Sequence, residues 1–318
     1  MYLFGIFIYL GYNISMKYDV IIIGAGPAGL SAGIFACRAG LKTICLEKIA
    51  VGGQAVLSHA IENYPGFNNI SGFDLMQLMQ KHAELCGLTI SYEGVEGLVK
   101  TKTGFKVTTS SNSYEAKQVI IASGAKARKF GLENEKQLIG KGVSYCASCD
   151  GNFFKNKPVA VVGGGNTAIG DVEYLSRVAS KVYLINRSEV FRANPKNVEN
   201  LKTLKNVEIL TSTVVTKLVA DETLKAIEVT NNGANKTIDV DALFIAIGYE
   251  PDLTYINFEI DKDEKGYIIV DKNMKTSIDN LYACGDITSK SFKQIISACA
   301  DGAIAGNSCV GVKWKENY

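Results

Sequence analysis

The chain has 318 residues and a formal net charge of +2, from 34 basic and 32 acidic side chains. Its length gives room for about two domains of 100–200 residues each, and a hydrophobic content of 47% supplies their cores. The even charge balance excludes bulk nucleic-acid binding, which needs a concentrated basic face, and eight cysteines spread over so long a chain exclude a small disulfide-stapled scaffold.

Residues 1–10 read M-Y-L-F-G-I-F-I-Y-L. This run is too short to span a bilayer and lacks the positive leader of a signal peptide, so no membrane association is expected. Met16 is expected to be the natural start, with residues 1–15 an over-extended reading frame; the competing reading is a peripheral anchor.

Tyr18–Ile23 is an apolar, β-branched run of the kind that forms a buried parallel strand. It leads into Gly24-Ala25-Gly26-Pro27-Ala28-Gly29, then into an alanine-rich helical stretch to Ala39, with Gly40 as its cap, and a second strand over Leu41–Glu47. In this G-x-G-x-x-G pattern Gly24 makes the turn, Gly26 lets a pyrophosphate approach the backbone, and Gly29 lets helix and strand pack closely. The helix N-terminus favours the anion, and Glu47, 23 residues after Gly24, stands where a carboxylate accepts ribose hydroxyls. The bland alternative is a plain tight turn.

Tyr145-Cys146-Ala147-Ser148-Cys149-Asp150-Gly151 follows in the middle of the chain. A C-x-x-C spacing allows a small disulfide ring and a lowered thiol pKa. A zinc site would require further ligands, and the two histidines, His59 and His82, are isolated. A redox-active pair is therefore expected. Asp150 suits the proton transfer that thiol–disulfide exchange requires, against the alternative of a turn or helix cap. The other six cysteines are expected to be buried, reduced thiols in a cytoplasmic protein.

The strand–glycine–helix plan then recurs. A strand over Pro158–Val162 enters Gly163-Gly164-Gly165-Asn166-Thr167-Ala168, a G-x-G-x-x-A loop built on Gly163, Gly165 and Ala168, with a helix over Ile169–Val178 and a strand over Lys181–Ile185. Further on, Phe244–Gly248 reads as a strand entering a glycine loop, Tyr282–Asp286 as Y-A-C-G-D, and Phe292–Ala305 as a helix. These last pieces hold no β-α-β of their own. The expected fold is α/β, with two Rossmann-like dinucleotide-binding domains and the second inserted into the first: residues 16–124, then 125–252 carrying the C-x-x-C, then a return over 253–318.

The motifs together resemble the low-molecular-weight thioredoxin reductases, from about Met16 to about Ala305. G-A-G-P-A-G, G-G-Q at Gly52–Gln54, E-N-Y-P-G at Glu62–Gly66, S-G-A at Ser123–Ala125 around Gly124, Y-C-A-S-C-D-G, G-G-G-N-T-A, A-I-G-Y-E-P and C-G-D all occur in order. The resemblance implies FAD in the first domain, with Gly53, Gln54 and Asn63 near the flavin or its ribityl chain, Asp286 on the ribityl hydroxyls and Gln294 at the pyrimidine edge. The bland readings are a turn for Asn63 and a helix surface for Gln294. It further implies that Cys149 receives electrons from the flavin, that Cys146 attacks a thioredoxin or thioredoxin-like partner, that Asp150 is the acid–base residue, that the inserted domain rotates during turnover, and that the protein is a homodimer.

The electron donor is where this sequence departs from the family. Counting 23 residues from Gly163 reaches Asn186 rather than an acid. The family's usual H-R-R-x-x-x-R is here Asn186-Arg187-Ser188-Glu189-Val190-Phe191-Arg192, retaining Arg187 and Arg192 for an NADPH phosphate. Gly170-Asp171 stands in place of two acids, and the tail ends in Trp314 and Tyr318. Three functions follow: an NADPH-dependent thioredoxin reductase, a ferredoxin-dependent flavin thioredoxin reductase, and a non-catalytic flavin redox sensor. The intact glycine loop favours NADPH, and the broken arginine motif favours ferredoxin.

Overall fold

A computed structural model of the chain describes residues 16–58 and 61–310, so the expectations for residues 1–15, His59, Trp314 and Tyr318 fall outside the described residues. Two compact units form, one from residues 16–56, 61–125 and 251–310, the other chiefly from 126–250.

The first unit begins with β1 (Met16–Ile23), α1 (Pro27–Arg38), β2 (Thr43–Leu46), α2 (Gly72–Leu85), β3 (Thr89–Ser91), β4 (Val95–Lys100), β5 (Phe105–Thr109) and β6 (Ser113–Ile121). Its sheet runs β3-β2-β1-β6-β5-β4. The first four strands of that order are parallel, while β4, β5 and β6 form an antiparallel meander. Val20, Ile21 and Ile22 are fully buried, each worth about 1.5–3 kcal/mol. The alternation of their side chains feeds two cores, Val20 and Ile22 on one face, Ile21 and Ile23 on the other. α1 starts at a proline in its first turn, where the missing N–H costs nothing.

The second unit holds β7 (Lys126–Ala127), α3 (Glu135–Leu138), β8 (Val143–Ser144), α4 (Ala147–Asp150), β9 (Pro158–Val162), α5 (Asn166–Ser176), β10 (Lys181–Ile185), α6 (Pro195–Leu201), β11 (Val207–Leu210), β12 (Thr213–Ala220), β13 (Leu224–Asn231), β14 (Ala234–Asp239), β15 (Ala242–Ile245) and β16 (Tyr249–Glu250). A parallel sheet runs β11-β10-β9-β15-β8, β12–β14 form a separate antiparallel sheet, and β16 pairs with β7.

The chain then returns to the first unit. β17 (Leu281–Ala283) pairs in parallel with β6, and α7 (Ile295–Ser308) lies against α1. A Cβ added at Gly302 or Gly306 would strike the carbonyl of Ala28 or Ala32, so these glycines let the two backbones touch. The Ser31 hydroxyl donates to the Cys299 carbonyl at 2.7 Å. The helix expected over Phe292–Ala305 is shifted to Ile295–Ser308 because Gln294 is extended (φ −144°, ψ 160°) and serves as its N-cap.

The six remaining cysteines are free thiols, but only Cys45, Cys284 and Cys309 are buried. Cys37, Cys86 and Cys299 are half-buried, correcting the expectation, because they sit on or just after helices with one face toward solvent. Among the described residues no helix is long and apolar enough to cross a membrane.

Candidate active site

In the first unit the glycine loop joins β1 to α1. Gly24 has φ +102°, and a Cβ there would lie 2.5 Å from the Ala122 carbonyl. A Cβ at Gly29 would collide with the Gly24 carbonyl, whereas one at Gly26 would meet nothing within 4 Å. Turn and packing thus occupy the outer glycines, and the middle one faces open space. The N-cap of α1 is Gly26, which has no side chain to cap the helix's first N–H groups, and such groups suit an anion. The Glu47 carboxylate accepts from the Ala25 N–H at 2.8 Å and the Ile49 N–H at 3.0 Å, which fixes it at the mouth of the loop with lone pairs to spare. A Cβ added at Gly53 would lie 3.6 Å from the Gly26 Cα, and the Gln54 amide donates to the Ala125 carbonyl, next to Gly124, itself at φ +64° with open space beside it.

The far side of this site is built by the segment before α7. Asn63 donates to the Gln294 side chain at 3.1 Å, with both residues exposed. Asp286 has one carboxylate oxygen, Oδ1, buried with no hydrogen-bond partner among the described residues, although the Lys290 ammonium stands 3.9 Å away. Burial pushes the Asp286 carboxyl upward, against the pull of Lys290 and Lys293. An unsatisfied buried acceptor is costly, and a ligand hydroxyl would satisfy it. An open glycine loop, a free helix N-terminus, a ribose-type acid and an orphaned acceptor together fit FAD.

Residues outside the recognised motifs brace this side. Asp301 accepts from the Lys290 ammonium at 2.6 Å and the Gly285 N–H at 3.1 Å. Lys293 donates to the Asp286 carbonyl at 2.9 Å and lies over the Tyr267 ring; burial brings its ammonium down to about 8. Only the position of Lys293 beside Gln294 could have flagged it.

In the second unit the loop between β9 and α5 repeats the plan. A Cβ at Gly163 would collide with the Ala246 carbonyl, one at Gly165 would meet nothing within 4 Å, and Ala168 is fully buried. Asn186 lies against this loop. It is buried, donates to the carbonyls of Ser188 at 2.8 Å and Val190 at 3.3 Å, and packs against Gly164. The N–H groups of Arg192 and Ala193 donate to the Gly164 carbonyl at 2.8 and 3.1 Å. The segment carrying Arg187 and Arg192, both exposed, is thereby tied to the glycine loop. Asp171 on α5 is held up at about 7 by burial.

Cys146 and Cys149 are joined as a disulfide with Cα atoms 5.3 Å apart, at the start of α4. The Cys149 N–H points to the Cys146 sulfur at 3.1 Å, a donor that favours a thiolate there. The Asp150 side chain caps no helix. It accepts instead from the Ser144 hydroxyl at 2.6 Å. Tyr145, just before the pair, donates to the buried Glu135 carboxylate. Neither Ser144 nor Glu135 carried a signal in the sequence.

The family model for pyridine nucleotide-disulphide oxidoreductases matches residues 18–302. The thioredoxin reductase of Treponema pallidum (strain Nichols) is 43% identical over 296 residues, covering 92% of this chain and 95% of that protein. The crystal structure of Lactococcus lactis thioredoxin reductase superposes with a TM-score of 0.89 at 33% identity, covering 92% of this chain and 98% of the other. That of a ferredoxin-flavin thioredoxin reductase from Clostridium acetobutylicum gives 0.52 at 29% identity, covering 93% and 98%. The chain belongs to the pyridine nucleotide-disulphide oxidoreductase family and, within it, to the low-molecular-weight thioredoxin reductases.

Proposed function

We propose that this protein reduces the disulfide of thioredoxin or a thioredoxin-like partner, drawing on NADPH through FAD and the Cys146–Cys149 dithiol. The observation that carries this reading is the Cys146–Cys149 disulfide beside a carboxylate, Asp150, that is engaged in no capping. FAD, when bound, supplies the electron pair that opens the disulfide. Gly24, Gly26, Gly29 and Glu47 would hold its adenosine and pyrophosphate, Gly53, Gln54, Asn63, Gly124 and Gln294 its flavin end, and Asp286 its ribityl chain.

The exchange itself belongs to the chain's own residues. Two electrons open the Cys146–Cys149 bond, and one proton taken up leaves Cys146 as thiolate and Cys149 as thiol. The Cys146 thiolate attacks the partner disulfide, forming a mixed disulfide. The departing partner sulfur takes its proton from Asp150, and Asp150 then takes the proton of Cys149. The Cys149 thiolate attacks Cys146, closes the enzyme disulfide and releases the partner's second sulfur as thiolate.

NADPH is supported by the open loop at Gly163, Gly165 and Ala168 and by Arg187 and Arg192 on the segment stapled to it. A second reading, ferredoxin as donor, is supported by Asn186, whose amide N–H groups are spent on its own loop and which brings no carboxylate to a ribose. Anaerobic titration separates them. Bleaching of the flavin absorbance by stoichiometric NADPH is the expected result; bleaching by reduced ferredoxin alone would overturn it. Loss of thioredoxin reduction in Cys146→Ser, with flavin reduction intact, is expected of an enzyme and not of a redox sensor. The homodimer belongs to the same reading, supported by Phe35, Leu78, Leu85 and Ile304, exposed apolar side chains on α1, α2 and α7; a sedimentation mass of one chain would refute it. Free thiols at six cysteines support a reducing compartment such as the cytoplasm.

A further inference from the structure

We infer that Ser144 is a positioning residue for dithiol exchange, its hydroxyl locking the Asp150 carboxylate and the Cys146 backbone into one geometry. This rests on the reading of Cys146–Cys149 as the dithiol that reduces a partner disulfide.

Ser144 is the last residue of β8 and stands opposite Phe244 of β15 in the parallel sheet. It is only 5% exposed, so sheet and burial fix its backbone and limit its rotamers. Its oxygen accepts the Cys146 N–H at 3.0 Å and donates its one hydrogen to Asp150 Oδ2 at 2.6 Å; the Cys146 carbonyl, at 3.3 Å, is the weaker alternative acceptor. The Asp150 N–H returns to the Cys146 carbonyl at 3.1 Å. The attacking cysteine and the acid are thus referenced to the same hydroxyl, and through it to the sheet.

The consequence is chemical. At 2.6 Å the bond is short and holds the carboxyl group in one orientation. It occupies Oδ2, so the proton exchanged with the departing partner sulfur and with Cys149 travels on Oδ1. Holding a proton donor in one orientation raises the rate because alignment is not bought anew in each turnover. Without the hydroxyl, the Asp150 carboxyl samples other rotamers.

A double-mutant cycle in the full-length, FAD-loaded protein tests this. Wild type, Ser144→Ala, Asp150→Asn and the double variant are reduced with dithiothreitol, desalted and mixed anaerobically with oxidised thioredoxin. The rate of partner reduction is followed in a single turnover, which does not involve the electron donor, and thermal unfolding is recorded in parallel. Asp150→Asn should slow exchange about 100-fold, within the usual range for general acid–base catalysis. Ser144→Ala should slow it about 10-fold, the effect of one hydrogen bond to a charged group. In the Asp150→Asn background, Ser144→Ala should change the rate by less than about 2-fold. Additive losses would overturn the inference, since they would mean that Ser144 acts through Cys146 or through folding alone. An unchanged rate in Ser144→Ala would overturn it directly. A reduced wild-type protein that leaves thioredoxin oxidised would refute the reading of the pair, and the inference with it.

Discussion

Tyr145, the residue directly before Cys146, donates its phenolic hydrogen to the carboxylate of Glu135. The same carboxylate accepts the N–H groups of Phe130, Gly131 and Leu132 at 3.2, 2.5 and 3.2 Å. Glu135 is 6% exposed. Desolvation alone would raise its pKa, but the four donors outweigh it and hold the carboxyl below its ordinary 4.5. Burial, and then the bond to Glu135, push the Tyr145 phenol up to about 12.

Glu135→Gln should therefore lower stability by about 1–3 kcal/mol at neutral pH, the cost of weakening hydrogen bonds to a buried charged group. A depressed carboxylate stabilises the fold above its unfolded pKa and loses that contribution as pH falls through its folded value. The difference between variant and wild type should accordingly be full above pH 4.5 and shrink below it. Denaturant unfolding at several pH values reads this directly; a pH-independent gap would count against the assignment.

In the first unit, Glu93 gathers the hydroxyls of Thr109 and Tyr114 at 2.6 Å and of Ser91 at 2.7 Å, with the Asn112 amide at 3.0 Å. Burial opposes these donors, which nevertheless pull its carboxyl down to about 2. Glu93→Gln should lower the melting temperature at pH 7, and the deficit should fade as pH drops from 4.5 toward about 2. Because β3, β5 and β6 are tied together here, proteolysis of the variant is expected to begin in the β4–β5–β6 meander.

Asp286→Ala removes the buried acceptor proposed for the ribityl chain. FAD binding should weaken about 10- to 100-fold, the loss of one or two hydrogen bonds to a charged group. The flavin-to-protein absorbance ratio after dialysis measures it. Retention of full flavin content would show that Asp286 serves Lys290 and the fold rather than the cofactor.

If NADPH is the donor, Arg187→Ala should raise KM for NADPH about 10-fold with kcat little changed, because the phosphate contact holds substrate and transition state alike. Asn186→Asp should impair NADPH use as well, since a carboxylate would face the carbonyls of Ser188 and Val190 that the amide now binds. Stopped-flow flavin reduction distinguishes these effects from a change in the dithiol half-reaction.

The glycine fingerprints, the C-x-x-C and the spacing to Glu47 were legible in the sequence because each is a local constraint. A turn with positive φ at Gly24, a backbone that must come close at Gly29, and a small ring between Cys146 and Cys149 restrict residue type at fixed chain separation. Strand identity was legible for the same reason, since Val20–Ile23 of β1 and Val159–Val162 of β9 are continuous apolar runs paired in parallel with their neighbours. The start of α7 is not legible in the sequence because Phe292–Gln294 carries no helix-breaking residue, and only the extended backbone of Gln294 sets the helix start at Ile295.

The supporting contacts depended on distance in space rather than in sequence. Gly302 and Gly306 read as ordinary helix residues until α7 lies on α1, where Ser31 bonds to Cys299 across 268 positions. Asp150 reads in the sequence equally as a cap and as an acid; that its side chain caps no helix and turns to Ser144 is a fact of the fold. Asn186 signalled only a missing carboxylate; that its amide ties the arginine segment together follows from its burial. Hydrogen bonds between side chains require a direction and a burial state that residue type does not encode. The sequence by itself therefore determined which chemistry this protein carries, and the tertiary structure decided which residues hold that chemistry in place.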